Sequence, residues 1–189
     1  MNLKKIWKFL WYDDSPLSWI VSIILAFIII KFIVYPLIGI LLGTGYPIVA
    51  VVSGSMEHNA DFDTWWEFKG EWYEEENITK EQFSKFKFKN GFNKGDIMIV
   101  LGKEPQNINK GDVLIFESTV DYPVIHRIVK IWQIDEKYYF QTKGDNNMNS
   151  YDRLNEKEIN EENIVGVAVL RVPYLGWIKI VFSKILGVL

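Results

Sequence analysis

Residues 17–42 form an almost unbroken run of Ile, Leu, Val, Phe, Ala and Gly. Such a run exceeds the roughly 20 residues a helix needs to cross a hydrocarbon layer of about 30 Å. A chain that carries it must divide into a membrane element and a remainder with its own core. Trp19 and Tyr35 suit the two interfaces. Lys31 interrupts the run, and its aliphatic stem can carry the ammonium toward headgroups. The run is too long for the apolar core of a cleavable leader, and no small-residue cleavage site follows closely. It reads as a permanent anchor. Lys4, Lys5 and Lys8 precede it, whereas the first charges beyond it are Glu57, Asp61 and Asp63. The positive-inside bias makes residues 1–45 a cytoplasmic N-terminus plus a single-pass span in the cell membrane. Everything after them falls on the extracytoplasmic face.

The remainder of the 189 residues is enough for one domain. A net charge of −3 gives no reason to expect nucleic acid as a partner. With no cysteine, disulfides, thiolate metal sites and a cysteine nucleophile are excluded. His58 and His126 are the only histidines, so a multi-histidine metal site is not expected, nor is a cofactor.

Residues 46–173 read as an antiparallel β domain. Pro47 to Val52 suggests a first strand. Asn93-Lys94-Gly95-Asp96 and Asn109-Lys110-Gly111-Asp112 are turns that lead into apolar runs at 97–101 and 113–116. Runs at 124–134 and 137–142 flank Asp135-Glu136 as a hairpin, and 164–172 is a further strand. Short strands without long intervening helices predict a barrel or sandwich. Residues 58–93 break this pattern with aromatic pairs and acidic runs. They read as an insertion or cap with a small side core. Thr79-Lys80-Glu81-Gln82 has capping-box spacing for a short helix through Phe86. The tail, 174–189, is apolar but short for a span, and predicts a helix lying in the membrane interface, with a second span as the alternative.

Three stretches carry chemistry. Ser53-Gly54-Ser55-Met56 ends the first strand, and Gly54 permits the bend that would expose Ser55. A serine needs a neighbouring base to act as nucleophile. His126, mid-strand in Val124-Ile125-His126-Arg127, can take its proton near neutral pH. His58 is the rival base, but no strand positions it. The polar loop 142–153 offers Asp145 and Asp152, either of which could hold the imidazole tautomer.

The four motifs Ser53-Gly54-Ser55-Met56, Lys110-Gly111-Asp112-Val113, Ile125-His126-Arg127-Ile128-Val129 and Gly144-Asp145-Asn146-Asn147 stand in order behind the anchor. Together with Val172-Pro173-Tyr174-Leu175-Gly176, the chain resembles type I signal peptidase in its archaeal and endoplasmic-reticulum form. That form has histidine where bacterial members have lysine. The resemblance implies a mainly β catalytic domain with a small α-containing insertion. It implies a serine endopeptidase that removes signal peptides from secretory preproteins, with the lipid membrane and the protein-translocation machinery as partners. It makes Ser55 the nucleophile and His126 the general base. The Ser55 N–H and the Ser53 hydroxyl would be the oxyanion donors. The acidic member falls to Asp152, with Asp145 as structural or supporting. This loop departs from the family spacing by one residue, and His58 stands where proline is common. The family's taste for small residues at the first and third positions before the bond implies shallow pockets, with Val51, Val52 and Met56 as lining.

Two other classes fit the same outline. One is a membrane-tethered β domain that binds or scaffolds without catalysis. The other is a self-cleaving serine–lysine regulator, which would need a lysine base and an internal cleavage site. Neither of those two features is evident.

Overall fold

The computed structural model describes residues 2–185 and comprises two units, residues 1–41 and residues 42–189. The first unit is helical. Helix α1 (Leu3–Tyr12) was not anticipated from the sequence; Asn2 caps it by accepting from the Lys4 amide. Its Trp7 and Trp11 rings stack at 4.7 Å, one turn apart. Ser15 then caps helix α2 (Pro16–Ile29), with Pro16 in the first turn where a missing N–H costs nothing.

The apolar helix continues to Leu42, and residues Pro16–Leu42 are long and apolar enough to cross a membrane. It contains one π turn, Ile30–Val34, before α3 (Tyr35–Leu42). Pro36 accounts for the turn. It has no N–H to return to the carbonyl of Phe32, so the ladder reorganises upstream. The Tyr35 amide reaches back five residues to the Ile30 carbonyl.

The second unit is a curled antiparallel sheet of seven strands: β1 (Ile48–Ala50), β2 (Ile97–Leu101), β3 (Val113–Phe116), β4 (Val124–Ile134), β5 (Lys137–Lys143), β6 (Ile159–Asn160) and β7 (Ile164–Val172). Their order is β1-β2-β7-β3-β4-β5-β6. The first strand is shorter than the sequence suggests, because the chain leaves the ladder after Ala50. The strands at 97–101, 113–116, 124–134 and 164–172 have the expected limits. Asp135 and Glu136 both have positive φ, 48° and 68°, as a two-residue hairpin requires.

Alternation along the strands separates two cores. One face buries Val51, Met56, Met98, Val100, Ile115 and Ile125. The other buries Leu114, Phe116, Val124, Ile128, Phe140 and Val167. Residues 58–93, expected as an insertion or cap, contain helix α4 (Phe62–Glu75) and helix α5 (Lys80–Ser84), the latter opened by the expected Thr79/Gln82 capping box. Their aromatics form a third core of Trp65, Trp66, Tyr73 and Phe83. The β4–β5 register shifts between Ile128 and Lys130. Val129 is thereby left free to join the helices' core. The tail forms α6 (Trp177–Ile185); residues 186–189 of the expected interfacial helix lie outside the described residues.

Candidate active site

After β1 the chain stays anchored before it turns. The Val51 amide donates to the Asp96 carbonyl and the Gly95 amide to the Val51 carbonyl, both at 2.9 Å. Ser53-Gly54-Ser55 then bends away, and Met56 drops into the first core, fully buried. This anchoring on both sides fixes where Ser55 stands. Although β1 and β4 are first and fifth in the ladder, the curl brings Ser55 against β4. Ser55 Oγ lies 2.8 Å from His126 Nε2 and 3.1 Å from Ser53 Oγ.

His126 pairs across the sheet with Leu114 and is almost wholly buried. Its other nitrogen, Nδ1, faces Glu156 Oε1 in a short contact. Glu156 is fully buried. Its second oxygen accepts from the Tyr151 amide at 2.8 Å, and Thr142 Oγ1 lies 3.4 Å from the first. A carboxylate at Nδ1 holds the ring proton there and leaves the Nε2 lone pair aimed at the serine. The site therefore contains a serine, histidine and carboxylate in line.

The acidic member expected from the sequence is corrected. Asp152 is exposed and paired with Lys157 at 2.9 Å, away from His126. Asp145 does not reach His126 either. It accepts from Tyr73 Oη at 2.9 Å and from Arg127 Nε and Nη2 at 2.9 and 2.7 Å, with His58 Nε2 at 2.9 Å. Burial would raise its pKa, but Arg127 and His58 outweigh burial and hold the carboxyl well below the usual range. His58 is thus a buried partner of Asp145, its ring stacked on Trp65 at 3.8 Å, and not a rival base.

Glu156 escaped the sequence reading because three residues, Asp152–Leu154, form a 3₁₀ turn and Asn155 follows in the left-handed region, φ 55°. That reversal turns the next side chain inward. The signal available was Asn155 beside an acid, a residue type that tolerates such a φ.

The loop bearing Asp145 also steadies Ser55. The Asn146 amide donates to the Ser55 carbonyl at 2.8 Å, and Asn146 Nδ2 to the Gly54 carbonyl at 3.1 Å. The Ser55 amide itself has no partner among the described residues, which leaves a donor open beside Oγ. Lys143, nearby, is buried over the Trp72 and Tyr73 rings, and burial pushes its ammonium down to about 8.

A cleft of about 550 Å³ opens over Ser55 and His126. Val52 lines it with Ala50, Val124, Ile125 and Tyr122. Val51 and Met56, expected as pocket residues, are not part of it. Strand alternation turns Val51 into the first core with Met56, and neither keeps more than 1% exposure. Among the described residues no His/Asp/Glu group has the grouping of a metal site.

A buried histidine between a serine and a carboxylate is an arrangement that can support nucleophilic acyl chemistry. Known proteins similar to this chain carry the name signal peptidase. It is similar to the signal peptidase complex catalytic subunit SEC11 of Candida tropicalis, 23% identical over 158 residues, which span 81% of this chain and 75% of that protein. It is likewise similar to signal peptidase complex catalytic subunit SEC11C of Homo sapiens, 28% identical over 150 residues, or 76% of this chain and 61% of that one. To the SEC11 of Pyricularia oryzae it is 28% identical over 98 residues, 49% of this chain and 57% of that protein. No family model matches. These relatives bear out the resemblance to signal peptidase drawn from the four motifs.

Proposed function

We propose that the protein is a membrane-bound serine endopeptidase that removes signal peptides from secretory preproteins. The observation that carries this reading is the line from Ser55 Oγ to His126 Nε2 at 2.8 Å and from His126 Nδ1 to Glu156, in a chain whose relatives bear the name signal peptidase. In this mechanism His126 takes the serine proton as Oγ attacks the scissile carbonyl. The buried Glu156 carboxylate offsets the charge the imidazole then carries. The Ser55 amide and the Ser53 hydroxyl stabilise the tetrahedral oxyanion. His126 returns the proton to the leaving amine, and water attacks the acyl-enzyme by the same route. The substrate lies extended beside β1, whose outer edge pairs with no strand among the described residues and can take a further one.

The lysines at 4, 5 and 8 support a cytoplasmic N-terminus, and hence a catalytic unit on the extracytoplasmic face. Helix α6 exposes Trp177, Ile178, Val181, Phe182 and Ile185, which suits an interfacial position. Membrane residence of both enzyme and substrate fits so short a link from Leu42 to Ser55. The test is cleavage of a model preprotein in detergent by wild type, Ser55→Ala and His126→Ala. Both variants are expected to lose at least a thousandfold in rate while keeping the fold. Activity within tenfold of wild type for either one overturns the reading.

A further inference from the structure

We infer that Arg153 is a specificity-determining residue of this cleft and reads a carboxylate side chain on the bound polypeptide. The inference rests on the endopeptidase reading above.

Arg153 lines the same cleft as Ser55 and His126. The other lining residues are neutral apart from His126: there is no Asp, Glu or Lys among them. Among the described residues, Arg153 is therefore the one permanent charge the cleft offers to a substrate. In a chain with a net charge of −3, that charge is local to the site.

The guanidinium makes no hydrogen bond or ion pair among the described residues. Its neighbour Asp152, the nearest acid in sequence, is taken by Lys157. Five planar N–H donors are thus left free, in the fork geometry that matches a carboxylate. The side chain is exposed, yet its base is held. Thr119 Oγ1 donates to the Arg153 carbonyl at 2.5 Å, and Ser118 Oγ to the Leu154 carbonyl at 2.7 Å. The guanidinium carbon lies 5.2 Å from the centre of the Tyr151 ring. Stacking on an aromatic face narrows the rotamers an exposed arginine would otherwise sample. Less ordering is then needed when a ligand arrives. Tyr151 and Arg153 belong to the same short turn that delivers Glu156 to His126, so the reader and the catalytic carboxylate are set by one piece of backbone.

The consequence is selectivity by charge, laid over any selectivity by size. A glutamate or aspartate near the scissile bond gains an ion pair, and a lysine there meets a like charge.

The experiment uses the full chain in detergent and a set of otherwise identical peptides. Each carries Glu, Gln or Lys at one of the three positions on either side of the cleaved bond. At one position or more, wild type is expected to favour Glu over Gln in kcat/KM by about three- to tenfold, and Lys is disfavoured. The preference should shrink in 1 M salt. Arg153→Gln should abolish it, and Arg153→Glu should reverse it in favour of Lys. In parallel, the same peptides are bound to the Ser55→Ala chain with and without Arg153→Glu. Cleavage with no Glu preference above twofold at any position overturns the inference and leaves the endopeptidase reading standing. A binding preference for Glu that Arg153→Glu reverses, in a chain that cleaves none of the peptides, supports the inference and overturns the endopeptidase reading.

Discussion

Tyr73, in the last turn of α4, donates its hydroxyl to Asp145 Oδ1 at 2.9 Å, across 72 residues of sequence. It is one of several ties between the insertion and the loop beside Ser55. Lys69 Nζ donates to the Asn146 carbonyl at 3.0 Å, and Trp72 Nε1 to Asn149 Oδ1 at 2.8 Å. Since Asn146 in turn holds the carbonyls of Gly54 and Ser55, the insertion braces Ser55 from a distance. Burial and the Asp145 carboxylate together raise the Tyr73 hydroxyl pKa well above its ordinary value, so it remains a donor at any working pH.

Glu156→Gln should lower kcat by about three orders of magnitude with little change in KM. The amide would keep the shape but could present its NH₂ to Nδ1 and favour the wrong tautomer. Asp152→Asn, remote from the histidine, should leave kcat within about twofold. Steady-state kinetics on one peptide decides between the two acids.

Asp145→Asn should cost about 3–5 kcal/mol, because Arg127 would remain buried without its counter-charge. The Asp145 pKa is lower folded than unfolded. Its contribution is therefore complete above the unfolded value of about 3.9 and is lost as pH falls below it. Thermal unfolding of the full chain in detergent should show an acid-side decline below about pH 4 that is weaker in the variant.

Lys143 titrates at about 8 when folded, lowered by burial, against about 10.4 unfolded. Between those values the unfolded chain binds more protons, so stability from this group rises with pH, by up to ~3 kcal/mol. Lys143→Met should remove that rise. Comparing the two proteins from pH 7.5 to 10 cancels the titrations they share. A difference in stability that is flat across this range would contradict the burial argument.

Glu136 holds φ 68° in the β4–β5 turn, a conformation that favours glycine. Glu136→Gly should raise stability by about 1 kcal/mol, read as an increase in Tm of a few degrees. Activity should not change.

Legibility in the sequence followed how local the physics was. Strands β2, β3, β4 and β7 could be read because turn residues bound them and apolar runs fill them. Ser55 and His126 could be read because each sits on or just past such a strand. Helix α4 was hidden: Trp65, Trp66 and Tyr73 are buried beside Gly70, and only the Asp61 cap, accepting from the Thr64 amide at 3.0 Å, marks its start. Glu156 was hidden for another reason. Its placement depends on the backbone sign of Asn155, and counting residues along a polar loop does not reveal that. Val51 was misplaced because alternation gives the cleft to Ala50 and Val52 and the core to Val51, and Met56 because its carbonyl accepts from the Phe92 amide, a partner distant in sequence.

The π turn at Ile30–Val34 has its own consequence for the apolar helix. A π turn holds an extra residue, so side chains beyond it are rotated by about 100° relative to those before. A stripe of residues along Pro16–Ile29 is therefore not continued by Tyr35–Leu42. The apolar helix is two half-helices out of phase. A straight neighbouring helix that stays in register with one half is out of register with the other, so any such neighbour has to meet this helix as two short seams.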